Sequence, residues 1–209
     1  MQQEPRLTVG GIVLCGGHSR RMGSAKYSLP FGPTTMLEHM VDRLCESLAP
    51  VVVVAAPDQQ LPQLPPSILV ARDIHTDAGP LAGIHTGLLA LAPHADIAYV
   101  TSCDAPFLRT ALVNEMVNRL GSADLAIPKD GDYHHPLAAV YRTSLAGVID
   151  RLLHSGARRP LSLFKEARVH EVDVDSLREV DPALDSFRNL NCPDEYRQAL
   201  IDAGFPAMP

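Results

Sequence analysis

The stretch GIVLCGGHSRRMGSAK, residues 11–26, joins an apolar run to a loop rich in glycine and positive charge. Gly16 and Gly17 carry no side chains, so backbone N–H groups can approach phosphate oxygens closely at this turn. Arg21 and Lys26 offer cationic groups to the same anion, arginine as a planar fork and lysine as a point charge. This order of residues predicts a strand that ends in a phosphate-binding loop.

The spacing of this loop excludes the two commonest phosphate-binding motifs. A P-loop has lysine directly after its last glycine, whereas Ser24 follows Gly23 here, and GxGxxG does not occur either. A strand-to-loop turn with exposed basic residues is the alternative interpretation. It accounts for the glycines, but less well for Arg-Met-Gly and Lys26 behind them.

The rest of the chain alternates between strand-like and helix-like segments. Short runs rich in β-branched residues predict strands at 9–14, 51–56, 68–71, 97–102, 125–128, 137–142 and 169–174. Apolar residues at helical spacing predict helices at 35–48, 81–91, 109–120, 144–154 and 193–203. This alternation predicts an α/β fold with three layers, α/β/α, and a mostly parallel sheet.

A second polar cluster, SCDAPFL at residues 102–108, follows the predicted strand 97–102. In open α/β sheets, ligands bind outside the carboxyl ends of the strands, which is where both this cluster and the glycine loop are expected. A carboxylate at Asp104 would suit Mg²⁺, which binds one or two carboxylates together with substrate phosphates. The alternative is that Asp104 caps the following helix.

Composition limits the class of protein. The chain has 209 residues, of which 46% are apolar, and a formal net charge of −6, which predicts one domain, 1–209, and argues against a nucleic-acid partner. No apolar run is long enough to cross a membrane, and residues 1–8 do not resemble a signal peptide. The four cysteines are scattered and no zinc motif is present, which favours reduced thiols in a cytoplasmic protein without a structural metal site.

Several motifs resemble one known family. LCGGHSRRMGSAK is similar to the LAGGxSxRMGxxK signature of the Rossmann-like nucleotidylyltransferases. DAGPLAGIHTGL (77–88), HPLAAVYR (135–142), SGARRPLSLF (155–164) and NLNCPDEY (189–196) resemble, in the same order, the molybdenum cofactor guanylyltransferase (MobA) family. The resemblance spans nearly the whole chain. It implies transfer of GMP from GTP to Mo-molybdopterin, with Mg²⁺ as cofactor and release of pyrophosphate.

The resemblance also implies roles for individual residues. Residues 1–108 would form the nucleotide-binding part and residues 109–209 the acceptor part of the domain. Arg21, Lys26 and Asp104 would be catalytic, with Asp104 as the Mg²⁺ ligand. Lys26 and Asp104 would also bind GTP, together with Leu14, Cys15, Gly16, Gly17 and Asp73, while Arg158, Arg159, Asn189 and Asn191 would lie on the pterin side.

The chain departs from the family pattern at two places. The family often has an asparagine near the guanine after the second strand, whereas residues 54–57 read VAAP, so that contact is absent or made by the backbone. Cys192 stands where threonine is usual before Pro193, and cysteine is a poor helix cap. We also expect neighbouring cations to favour the thiolate form of Cys15 in the loop.

Three alternatives remain open at this point. The protein could be a molybdopterin cytidylyltransferase, another small-molecule nucleotidylyltransferase, or a nucleotide-binding regulator without catalytic activity. The joint presence of Arg21, Lys26 and Asp104 argues against the regulator, because a silent relative does not need a metal ligand. Molybdoenzymes or their chaperones are the recipients that the resemblance implies.

Overall fold

Strands and helices alternate in the computed structural model, which describes residues 7–16, 25–73, 75 and 78–206. The strands are β1 (Val9–Leu14), β2 (Pro30–Phe31), β3 (Thr34–Thr35), β4 (Val51–Ala55), β5 (Ile68–Arg72), β6 (Ile97–Ser102), β7 (Leu125–Asp130), β8 (Tyr133–His134), β9 (Ala138–Arg142) and β10 (Val169–Asp173). The α-helices are α1 (Met36–Cys45), α2 (Pro80–Leu91), α3 (Thr110–Leu120), α4 (Ala146–His154) and α5 (Pro193–Asp202). Short 3-10 helices lie at Lys26–Ser28, Thr143–Leu145, Pro160–Lys165, Val174–Leu177 and Asp185–Phe187. Every strand and helix predicted from the periodicity is therefore confirmed, with small shifts at the ends.

One sheet has the strand order β10-β7-β9-β6-β1-β4-β5, and β8 pairs with β7 beside it. β1 pairs in parallel with both β4 and β6, β4 with β5, and β7 with β10. β9 is antiparallel to β6 and β7. The connection from β7 to β9 is too short for a helical crossover, so the chain can only return antiparallel. The prediction of a mostly parallel sheet is confirmed.

Helices cover both faces of this sheet, as the three-layer prediction requires. One buried cluster joins the sheet to apolar side chains of α1 and α3, and a second joins the opposite face to α2 and α4. Gly10 in β1 permits close packing, because a Cβ there would lie 2.7 Å from the side chain of Leu91 in α2. Within the described ranges, no helix has the length and apolar character needed to cross a bilayer.

A third apolar cluster packs the C-terminal part of the chain against the β2–β3 ribbon. Phe31, from the small β2–β3 ribbon, packs with Leu190 and with Tyr196 of α5, and all three are buried. The hydroxyl of Tyr196 donates a hydrogen bond to the carbonyl of Pro30. The segment around Leu190 also lies close to the carboxyl end of β6, because the N–H of Leu190 donates to the carbonyl of Asp104.

The N-terminus of α5 yields a stability prediction. Cys192 is the N-cap residue, and its N–H donates to Glu195 Oε2 at 3.3 Å. Sulfur is a weaker acceptor than a hydroxyl oxygen, so Cys192→Thr should strengthen the reciprocal capping box with Glu195 and raise the free energy of unfolding by about 0.5–1 kcal/mol. Chemical denaturation measures the change, and Cys192→Val, which has the shape of threonine without its hydroxyl, is the control. A threonine variant less stable than the parent would mean that the thiol serves packing rather than capping.

Candidate active site

The carboxyl ends of β1, β4, β5 and β6 surround a cleft of about 800 Å³. This is the edge of the sheet at which open α/β folds bind ligands. Eight residues of the predicted site line it: Leu14, Cys15, Gly16, Lys26, Asp73, Asp104, Asn189 and Asn191. Gly17 and Arg21, also predicted for the site, lie outside the described residues.

A charged pair stands at the centre of the lining. Lys26 Nζ lies 2.7 Å from Asp104 Oδ2 and 3.3 Å from Asn191 Oδ1. The side chains of Lys26 and Asp104 are only 18% and 16% exposed, so little water screens their interaction. The glycine loop, the end of β6 and the C-terminal segment thus contribute one polar group each to a single point.

The carboxylate of Asp104 is held from both sides. Ser102, at the end of β6, donates its hydroxyl to Asp104 Oδ1 at 2.5 Å, while Lys26 contacts Oδ2. The helix-cap alternative is wrong for α3, because Arg109 is the N-cap residue of that helix and Asp104 lies well before it. Sequence reasoning missed Ser102, although it occurs in the same SCDAPFL cluster.

Asn189 and Asn191, which the sequence predicted for the pterin side, reach the cleft because of the residue between them. Leu190 is 1% exposed within the third apolar cluster, and its N–H donates to the backbone carbonyl of Asp104 at 2.9 Å. Asn189 and Asn191, on either side, are exposed and line the cleft. One buried leucine therefore fixes both amides beside the charged pair.

Asp73 lies at the end of β5 and is also held in place. Its N–H donates to Ala55 O at 2.8 Å, and its Oδ1 accepts from the N–H of His75 at 3.0 Å and from Thr86 Oγ1 at 3.3 Å. His75 also lines the cleft, and the sequence held no signal that pointed to it. The carboxylate is thus fixed at the carboxyl end of β5, the last strand on this side of the sheet.

The segment after β4 supports the cleft through Gln59, another residue that the sequence did not single out. The N–H of Ala56 donates to Gln59 Oε1 at 3.0 Å, and Gln59 Nε2 donates to Cys15 O at 3.0 Å. Arg72 donates to the carbonyl of Ala56 at 3.0 Å. Both backbone groups of Ala56 are therefore engaged within the protein, at the place where the family often has its base-contacting asparagine.

The expected thiolate at Cys15 is wrong. The residue is 5% exposed, and burial raises the pKa of its thiol to about 12, a larger effect than the opposing hydrogen bond from Gln59 and the charge of Arg72. Burial likewise raises the pKa of Cys103. Both groups are protonated at neutral pH, because desolvation penalises the charged form. They line the cleft as small apolar side chains.

Arg158 and Arg159 lie beside the cleft rather than in its lining. Both are exposed, and the guanidinium of Arg158 donates to Ala157 O at 3.0 Å. The backbone of Arg158 packs against Gly79 at the mouth: a Cβ at Gly79, whose φ is +76°, would lie 2.8 Å from Arg158 O. Glycine is needed there both for its backbone conformation and for this close contact.

Comparisons with known proteins show the family and the fold. Residues 11–172 match the family model of the MobA-like NTP transferase domain. The chain is 43% identical over 160 residues to the probable molybdenum cofactor guanylyltransferase of Mycobacterium tuberculosis H37Rv, covering 74% of this chain and 78% of that one. It is 33% identical over 200 residues to the molybdenum cofactor guanylyltransferase of Desulfosudis oleivorans, covering 94% and 97%. It also resembles the crystal structure of molybdopterin-guanine dinucleotide biosynthesis protein A from Archaeoglobus fulgidus, with 26% identity, a TM-score of 0.76, and coverage of 93% and 98%.

Proposed function

Because the chain belongs to the family of MobA-like NTP transferase domains, as its motifs predicted, it is a nucleotidyltransferase, and we propose that it is a molybdenum cofactor guanylyltransferase. The proposed reaction transfers GMP from GTP to the phosphate of Mo-molybdopterin and releases pyrophosphate. The observation that carries the proposal is the contact of Lys26 with both Asp104 and Asn191. It joins the predicted nucleotide side of the cleft to its predicted pterin side at one point.

The nucleotide would bind to the first half of the chain, residues 1–108. Leu14, Cys15 and Gly16 line the cleft at the end of β1, and Asp73 lines it after β5. We propose that the base and ribose lie between these two edges. Gly17 and Arg21 belong to the same loop in sequence, and we propose that they contact the triphosphate together with Lys26.

The acceptor would bind to the second half, residues 109–209. Asn189 and Asn191 offer amide donors and acceptors in the cleft, at the position that the family resemblance assigns to the pterin. The exposed guanidinium groups of Arg158 and Arg159, beside the mouth at Gly79, would attract the anionic phosphate of an incoming molybdopterin. We propose that they steer this substrate rather than hold it at the reacting atoms.

Magnesium fits the donor set around Asp104. The carboxylate of Asp104, the hydroxyl of Ser102 and the amide oxygen of Asn191 are hard oxygen donors, which Mg²⁺ prefers. We propose that Asp104 holds the ion, which when bound would neutralise negative charge on the phosphates. The protein's own residues position the reactants: the acceptor phosphate oxygen attacks the α-phosphorus of GTP, the bond to pyrophosphate breaks, and the ammonium group of Lys26 balances phosphate charge.

One observation favours a second candidate function. The end of β4 has no asparagine, and both backbone groups of Ala56 are engaged within the protein, so the family's usual guanine contact is not available there. A molybdopterin cytidylyltransferase is therefore the alternative. Turnover with different nucleotides distinguishes the two.

The experiment is pyrophosphate release with each of the four ribonucleoside triphosphates, with and without molybdopterin, and with Mg²⁺ or a chelator. We expect release only with GTP, molybdopterin and Mg²⁺ together. Preference for CTP would replace the proposal with the cytidylyltransferase. Tight GTP binding without any release would support a silent regulator.

The remaining proposals concern the surroundings of the reaction. We propose a cytoplasmic location, which the four free cysteines support. The product would pass to molybdoenzymes or their chaperones, and neither nucleic acid nor membrane would take part. A net charge of −6 supports the absence of a nucleic-acid partner.

A further inference from the structure

Three side chains with metal-binding atoms come together next to the cleft, and one of them, His75, also lines it. His75 follows β5, His85 lies in α2 and Asp150 lies in α4. One nitrogen from each imidazole and one oxygen of the carboxylate all lie within 4.8 Å of one another. The ring centroids of the two histidines are 5.7 Å apart, and His85 Nε2 is 3.9 Å from Asp150 Oδ1.

The histidines have polar atoms that this environment leaves unpaired. His85 is 2% exposed. His75 Nε2 and His85 Nδ1 are both buried and have no hydrogen-bond partner among the described residues. Buried polar groups in native proteins are nearly always paired, so the orphaned Nε2 of His75 calls for a missing partner. His85 faces Asp150 through its other nitrogen, Nε2, so an ion shared with Asp150 would bind there.

We propose that His75, His85 and Asp150 form a binding site for a transition metal of the zinc class. Two imidazoles and one carboxylate are ligands typical of Zn²⁺, and three protein ligands leave a fourth position for water. Two atoms that each lie about 2 Å from one ion are at most about 4 Å apart, so small side-chain rotations would bring these groups into range. Mg²⁺ prefers oxygen ligands alone, which separates this site chemically from Asp104.

A metal at this site would affect Asp73 in the cleft through the residues that donate hydrogen bonds to its carboxylate. The backbone N–H of His75 donates to Asp73 Oδ1 at 3.0 Å, and both residues line the cleft. Thr86, the neighbour of His85 in α2, also donates to Asp73 Oδ1, at 3.3 Å. A metal bound to His75 and His85 would therefore fix both donors to Asp73, one on each side. The absence of a zinc motif in the sequence is no obstacle, because these ligands come from three separate elements.

The test is zinc binding by the full chain after dialysis against a chelator. Isothermal titration with Zn²⁺, without nucleotide, should show one equivalent bound, and the visible spectrum of the Co²⁺ form should show nitrogen ligation. His75→Ala and Asp150→Asn should each weaken Zn²⁺ at least about tenfold, since ligand loss should exceed the effect of losing an outer-shell partner. His94→Ala, at an exposed histidine outside the cluster, should bind like the parent.

Thermal unfolding gives a second measurement that does not depend on activity. Zn²⁺ should raise the melting temperature of the parent and of Asp104→Asn, but not that of His75→Ala or Asp150→Asn. Asp150 is 47% exposed, so its asparagine variant should fold even if changes at His75 disturb the cleft. Equal zinc affinity in the parent and in the folded Asp150→Asn and His75→Ala variants would overturn the proposal, as would loss of binding in Asp104→Asn. Because none of these readouts is turnover, the proposed guanylyltransferase activity can fail without affecting the result.

Discussion

Replacing Asp104 by asparagine is expected to reduce turnover by about two orders of magnitude or more, equivalent to roughly 2.7 kcal/mol of lost transition-state stabilisation. The substitution keeps the shape of the side chain but removes the charge that faces Lys26 Nζ at 2.7 Å and that would hold Mg²⁺. Nucleotide binding should survive in part, because backbone donors of the glycine loop do not depend on this carboxylate. Pyrophosphate release at saturating GTP and molybdopterin measures the effect.

A matched control shows whether the loss of turnover is specific to Asp104 or follows from any Asp-to-Asn substitution. Asp132 is exposed in the turn between β7 and β8, away from the cleft, and Asp132→Asn should turn over like the parent. Circular dichroism checks that both variants fold. A folded Asp104→Asn variant with nearly parental turnover would move the metal site elsewhere and leave Asp104 with a structural role.

Replacing Lys26 by alanine is expected to lower both GTP affinity and turnover strongly. A charge-assisted contact to phosphate contributes roughly 1.5–3 kcal/mol, so GTP affinity should fall by about ten- to a hundredfold, with a loss of turnover as well. The variant also leaves Asp104, whose side chain is 16% exposed, without the ammonium group at 2.7 Å. Titration calorimetry with GTP and steady-state pyrophosphate release measure the two losses separately.

Lys129→Ala is the control for this variant. Lys129 Nζ pairs with Glu171 Oε1 at 3.3 Å on the surface, and exposed pairs of this kind contribute little to stability. It should retain parental GTP affinity and rate. Lys26→Arg keeps the charge but not the compact ammonium group, and we expect an intermediate result. Unchanged affinity and rate in Lys26→Ala would exclude the lysine from the phosphate site.

Much of the fold followed from local patterns. β-branched runs such as 51–56 predicted buried strands, and the apolar spacing over 35–48 predicted an amphipathic helix with Leu48 on its buried face. In the structure α1 ends at Cys45. Leu48 lies in the turn that follows, where its N–H donates to Leu44 O at 2.9 Å, and it remains buried, with only 5% of its surface exposed. Local periodicity therefore indicated that Leu48 is buried, but it did not indicate where the helix ends.

The candidate site was predictable where its residues adjoin strand ends. Gly16 and Asp104 each follow an apolar strand, and parallel strands bring their carboxyl ends to one edge, so the sequence alone indicated that they would meet. The arginines at 158 and 159 had no such constraint. A pair of exposed charges in a loop has no packing partner that fixes its position, and the structure has both beside the cleft rather than in it.

The sequence by itself therefore determined the alternation of elements, the turn at Gly16 after β1, the carboxylate at the end of β6 and the family, because each depends on residues that are neighbours in the chain. Only the tertiary structure decided the environment of each group. The loop's cations suggested a thiolate at Cys15, yet desolvation by the surrounding core raises the pKa of that thiol. His75, His85 and Asp150 come together only through the packing of α2 against α4 and the loop after β5. Desolvation and contacts between distant residues arise only when the chain packs into its tertiary structure, so the spacing of residues along the sequence does not reveal them.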